Sequence, residues 1–132
     1  MTRRQERRLA IDILYQADIT DATPAGVLAD WRGAGREIPE FSADLVAGVN
    51  ERLPDIDLLL ETHAEDWSVH RMAAVDRTIL RVGVYELLWC DDVPASVAIS
   101  EAVEAAAELS ADDAKRFVNG VLGRIAREEG VA

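Results

Sequence analysis

The sequence predicts an all-α fold of about seven helices. Apolar residues recur at helical spacing along most of its 132 residues, and breaks between these runs fall at proline, glycine or paired aspartates. The low content of 8 Gly and 4 Pro fits long elements. Thr2 with Gln5 forms a capping-box pattern, so a first helix starts near Arg3, with Ala10, Ile13, Leu14 and Ala17 on one face. Thr23-Pro24 reads as an N-cap followed by proline at the first helical position, opening a short helix to about Trp31. Gly33 and Gly35 end it, and Pro39 closes the loop. A third helix runs from about Glu40, with Phe41, Leu45, Val46 and Val49 on one side. Pro54 restarts the chain, and Ile56, Leu59 and Leu60 mark a fourth helix. Periodicity stumbles around Asp66-Trp67-Ser68, which reads as a turn or a short distorted helix. From Ala73 to Cys90 the chain is apolar nearly all round, as in a helix at the middle of a bundle. A strand over Val82–Trp89 competes, but the wider stretch keeps helical spacing without internal turn signals. After Asp91-Asp92-Val93-Pro94, Ile99, Ala102, Val103 and Ala106 define a sixth helix. Ser110 is read as the N-cap of a seventh, with Phe117, Val118, Val121, Leu122 and Ile125 as its buried stripe. That stripe passes through Asn119-Gly120 without a phase change, so the pair is helical, and a close approach by another helix would explain the glycine.

Length and composition narrow the function classes. A mass of 14.5 kDa suits a single domain over residues 1–132. At 49% hydrophobic and 30% charged, the chain has the makings of a core and is not disordered. The longest apolar runs counting glycine, such as Leu45 to Val49, fall far short of the roughly 18 residues of a membrane span. No apolar core follows Met1-Thr2-Arg3-Arg4, so the start does not read as a secretory signal. Cys90 is the lone cysteine and cannot form an internal disulfide, which fits a reducing cytoplasm. The net charge of −11 argues against nonspecific nucleic-acid binding by the whole surface. The distribution differs from the sum: residues 1–8 set Arg3, Arg4, Arg7 and Arg8 against Glu6, while residues 91–114 hold acids and no Lys or Arg. A basic tip on an acidic body suits two surfaces for two partners, although acids also serve solubility alone.

Catalytic patterns are missing. Gly33-Ala34-Gly35-Arg36 lacks the third glycine and the preceding strand of a phosphate loop. His63 and His70 lie across a predicted break, with Cys90 far off, which is a poor metal set. Glu101, Glu104 and Glu108 share one helical face, where a solvated row is the ordinary reading and acid–base work the rarer one. No serine sits in a nucleophile motif.

The arginine tip is the strongest functional signal. Arg3, Arg4, Arg7 and Arg8 oppose the helix dipole, at a cost of roughly a few tenths of a kcal/mol each, which points to a ligand. On a helix they form adjacent i, i+4 pairs, read as facing away from the Ala10/Ile13/Leu14 stripe. Guanidinium groups at this spacing match a phosphate backbone, and single-stranded RNA suits them if a ring is near to stack a base. Tyr15 and Phe117 are the candidate rings, with core packing as the plainer role for each. A disordered, solvated N-terminus is the plain alternative for the arginines.

Several stretches together resemble the NusB family of bacterial transcription antitermination factors. They are the arginine-rich start leading to Leu14-Tyr15, Leu45-Val46-Ala47-Gly48-Val49, and Val75-Asp76-Arg77-Thr78-Ile79-Leu80-Arg81 with Tyr85-Glu86-Leu87-Leu88. Asp92-Val93-Pro94, Val97-Ala98-Ile99-Ser100-Glu101-Ala102-Val103 and Lys115-Arg116-Phe117-Val118-Asn119-Gly120-Val121-Leu122 complete the set, in family order and from end to end. The last block is the most specific. The resemblance implies two small helical sub-bundles, no catalysis and no cofactor. It implies binding of boxA-containing nascent RNA together with small-ribosomal-subunit protein ten (NusE), in a complex with other Nus factors and RNA polymerase that supports transcription of ribosomal RNA operons. By position it places Arg3, Arg4, Arg7, Arg8, Tyr15, Asp113 and Phe117 at RNA, and Asp76, Glu86 and Glu101 at the protein partner. Departures from the pattern include Asp12 where many members carry Gln and Ser100 where many carry Asn or Asp. The family occurs as monomers and as homodimers, and the sequence leaves that choice open. It also leaves open the RNA-binding domain of an RNA cytosine methyltransferase, which has a similar fold.

Overall fold

A computed structural model describes residues 1–64 and 68–131. Its helices are α1 (Arg3–Thr20), α2 (Pro24–Gly33), α3 (Glu40–Glu51), α4 (Leu53–His63), α5 (Ala74–Trp89), α6 (Ala95–Leu109) and α7 (Ala114–Glu128). A single 3-10 turn, Val69–Arg71, precedes α5. The described residues contain helices and turns and no strand, including over Val82–Trp89. Asp66 and Trp67, where the periodicity stumbles, lie outside the described residues; Ser68 leads into the 3-10 turn.

The start of α1 follows its predicted chemistry. The Thr2 hydroxyl accepts from the Gln5 amide at 3.2 Å, and the Gln5 side chain accepts from the Thr2 amide at 2.7 Å. Thr23 caps α2 in the same way, through the Gly26 amide, with Pro24 as its first residue. The Gly33–Arg36 segment ends α2, with Gly35 at φ 88°, a left-handed position that glycine takes without steric cost. The seventh helix departs from expectation at its start. It begins at Ala114 with Asp113 as N-cap, whereas Ser110 closes α6. The Ser110 hydroxyl instead donates to Asp76 on α5, so its side chain ties two helices together.

α5 is the central element. It packs against α1, α3, α4, α6 and α7, which accounts for its apolar character on nearly every side. One group, α1–α3, meets α5 through α1 and α3, and a second, α6–α7, through both of its helices. The largest fully buried side chains, among them Ile13, Leu45, Ile56, Leu60, Ile79, Leu80, Leu122 and Ile125, join both groups in one core. α1 runs antiparallel to α5 and is tied to it near both ends: Arg7 bonds Glu86, and Arg77 donates to Asp18. Arg81 extends this frame by a two-pronged bond to Asp57 on α4 at 2.9 Å on each prong. Ser42, fully buried on α3, donates to the Glu6 carbonyl of α1 at 2.8 Å.

Two glycines permit close helix approach, and neither is Gly120. Gly120 is exposed, and a Cβ there would meet nothing within 4 Å, so the expected close neighbour is absent. A Cβ on Gly48 would fall 2.1 Å from the Tyr85 ring, and one on Gly83 would lie 2.7 Å from a Leu122 methyl. Tyr85 is a rigid ring packed against the core, so it has little room to retreat. Gly48→Ala is therefore expected to lower stability by about 1–3 kcal/mol, overpacking outweighing the gain in helix propensity. Urea unfolding followed by circular dichroism measures the change, and a variant as stable as its parent would refute the steric reading.

Candidate nucleic-acid interface

The α1 arginines do not share one face. Arg7 is buried at 8% exposure, against the prediction that all of them point away from the core. Its position is one helical step before the Ala10/Ile11/Leu14 side, so its stem enters the gap between α1 and α5. There its Nε donates to both Glu86 oxygens, at 2.8 and 2.9 Å. Glu86 is 2% exposed, and burial pushes its carboxyl above the ordinary range, an effect that the bond from Arg7 opposes. Arg7 and Glu86, predicted to meet two different partners, meet each other. Glu86 has almost no surface to offer a partner, because its buried charge needs a buried counter-charge.

Arg3, Arg4 and Arg8 are the arginines that reach the surface. The Arg3 side chain is 62% exposed, bonds Glu6 at 2.9 Å and lies 4.1 Å over the Phe41 ring. Arg4 is 59% exposed, and its Nε donates to Glu101 at 3.0 Å. Arg8 bonds Glu108. The order of these pairs sets α6 alongside α1 in the same direction, with both helices resting on α5. The groove between them is floored by Ile79, Val82 and Gly83 and bridged by the charged side chains. The expectation of a solvated glutamate row is thus corrected in part: Glu101 and Glu108 bond arginines, whereas Glu104 lines the groove with no bond to α1. Glu101 also lies 3.8 Å from Arg7, and its side chain is only 17% exposed.

The other predicted residues fall at two places. Tyr15 is exposed on α1 beyond Arg8 and Asp12, as a ring free to stack would be. Asp76, Asp113 and Phe117 share a cleft between the starts of α5 and α7, together with Arg71 and Met72. Asp76 was predicted for the protein partner and the other two for RNA; the fold puts all of them in one cleft. Phe117 is half-buried and packs on the core, as its periodicity suggests.

Sequence reasoning named Glu108 in a glutamate row but missed its pairing with Arg8, and it missed Arg71 and the pairing of Arg3 with Phe41. The glutamate signal was present, as a row of acids at helical spacing in a chain whose only dense basic cluster lies elsewhere. Its partner was not, because the two helices are far apart in sequence. Cys90, in a cleft with Arg3, Phe41, Tyr85 and Trp89, carries a thiol pushed up to about 11 by burial and by the nearby Glu86 and Asp92. It is a protonated thiol at neutral pH, not a nucleophile.

Residues 4–127 match the model of the NusB family. The chain belongs to the NusB family. Transcription antitermination protein NusB of Saccharopolyspora erythraea is 51% identical over 128 residues, covering 94% of this chain and 86% of that protein. T. maritima NusB superposes with a TM-score of 0.86 at 33% identity, over 97% of this chain and 92% of that one. A crystal structure of antitermination factors NusB and NusE in complex with dsRNA is also similar, with a TM-score of 0.82 and 25% identity, covering 97% of this chain and 99% of that one. The all-α NusB fold expected from the sequence is the fold observed. No described helix is long and apolar enough to cross a membrane.

Proposed function

We infer that this chain is a transcription antitermination factor that binds boxA-bearing RNA with NusE seated beside it, in an assembly with other Nus factors and RNA polymerase. The observation that carries the reading is the set of exposed Arg3 and Arg4 with partly exposed Arg8 at one end of a chain of net charge −11. The chain as a whole is acidic and its densest run of arginines lies here, so this end is where a transcript gains Coulomb energy. Tyr15, further along the same helix, supplies an exposed ring for a base. The Asp76/Asp113/Phe117 cleft offers acid and an aromatic to a basic protein surface. Likeness to a NusB–NusE–RNA complex and to proteins named for antitermination favours this reading over the RNA-binding domain of a methyltransferase. The activity is binding, with no bond made or broken.

A gel-shift tests it. Single-stranded boxA-like RNA, a scrambled strand and a duplex are each mixed with the full chain, with and without NusE. A ternary band with boxA-like RNA, stronger than with the scrambled strand, is expected. Asp76→Lys is expected to weaken entry of NusE while leaving helix content unchanged. No ternary species at low ionic strength would reject the reading.

A further inference from the structure

The surface arginines are already occupied. Arg4 is held by Glu101 and Arg8 by Glu108, both reaching across the groove from α6. A carboxylate and a phosphate accept from the same guanidinium N–H groups, so one must leave before the other binds fully. Because Glu101 and Glu108 are fixed on a neighbouring helix, their local concentration is far above that of any transcript in solution. Solvent exposure separates these pairs from Arg7–Glu86. The side chains of that buried pair are 10% and 3% exposed, whereas Arg4 is 59% exposed against 17% for Glu101, and Arg8 28% against 52% for Glu108, so each pair keeps one partner in solvent. Pairs open to solvent on one side are weaker and exchange more readily than the buried one.

We propose that Glu101 and Glu108 are built-in competitors for RNA phosphate, and so set specificity. This rests on RNA meeting the α1 arginines. The pairs hold the basic face nearly neutral towards passing nucleic acid. RNA gains its phosphate contacts by exchange with the carboxylates, for a small net return. Base contacts and the protein partner then decide which RNA stays. An uncovered arginine face would instead bind any strand through counterion release alone.

The test compares the parent chain with Glu101→Gln/Glu108→Gln, Glu108→Gln alone, Glu104→Gln and Arg3→Ala/Arg4→Ala/Arg8→Ala. Fluorescence anisotropy with labelled scrambled and boxA-like single strands is read across a salt series, after circular dichroism has verified helix content. The double glutamine variant is expected to bind scrambled RNA roughly tenfold tighter, with the salt slope steeper by about one, as two arginines are freed. Preference for boxA-like RNA over scrambled RNA is expected to narrow. Glu108→Gln alone, at a half-exposed site, is expected to give about a threefold gain without touching Arg7. Glu104→Gln removes the same charge from the same groove without freeing an arginine, and is expected to stay within about twofold of the parent. Glutamine variants that bind like the parent, or a Glu104→Gln gain equal to that of the double variant, would overturn the proposal; if the arginine variant still loses RNA, the RNA reading survives. An arginine variant that binds RNA as the parent does would remove both.

Discussion

Glu86→Ala is expected to cost about 3–5 kcal/mol of stability, the scale for removing one partner of a buried ion pair. In a chain of this size, that lowers the thermal midpoint by on the order of 10–20 °C. The loss comes from Arg7, left with its Nε buried between α1 and α5 and its two short bonds gone. Glu101, at 3.8 Å, is too far to take over both. Arg7→Leu with Glu86→Leu removes both charges and is expected to recover most of the loss, since two packed apolar groups need no counter-charge. The pH dependence has a definite sign. Burial raises the Glu86 carboxyl above its ordinary 4.5, with the Arg7 bond opposing. Its contribution to stability is therefore complete below that value and shrinks as pH rises through the folded-state value. Glu86→Gln lacks this slope. Thermal melts at several pH values, followed by circular dichroism, check both points; an Ala variant within about 1 kcal/mol of the parent would refute the account.

Arg3→Ala/Arg4→Ala/Arg8→Ala is expected to weaken RNA binding by roughly 10-fold at low salt and to flatten the salt slope by about one. A free guanidinium that neutralises a phosphate contributes about 0.7 in slope for a single strand, and Arg4 and Arg8 contribute less than Arg3 because their carboxylates on α6 compete. Arg7 is left out because its loss would damage the fold and confuse the reading. The three chosen side chains lie at the surface or partly so, each in a pair open to solvent on at least one side, so helix content and midpoint are expected to hold. The loss is expected with scrambled and boxA-like strands alike, since phosphate contacts carry no sequence. Affinity and slope both unchanged would move the RNA surface elsewhere on the molecule.

Local chemistry was legible in the sequence. Thr2 and Gln5 cap a helix because their side chains reach amides a few residues away, and Thr23-Pro24 does so for the same reason. The apolar run at α5 reported a central helix because burial on every side leaves no room for a polar stripe. Long-range pairing was not legible. Nothing near Arg7 in sequence distinguishes it from Arg3, Arg4 and Arg8; its fate was decided by Glu86, 79 residues away. Ser110 has the right chemistry for an N-cap, but Asp76 claimed its hydroxyl and the next helix opened later. Gly120 carried a helical penalty with no visible return, while the glycines that admit a ring and a methyl were Gly48 and Gly83. Family resemblance placed residues at partners by position, which conveys where a residue sits but not which way it turns.

The two ties between α1 and α5 have a mechanical consequence. Arg7 to Glu86 fastens one end, and Asp18 to Arg77 the other, on helices running in opposite senses. Such a pair resists sliding in either direction, because any shift shortens nothing and stretches both fastenings. A load applied at the arginine end thus passes straight into the middle of the molecule. α6 joins that end through its pairs with Arg4 and Arg8 and is itself packed on α5, so the same load reaches it as well.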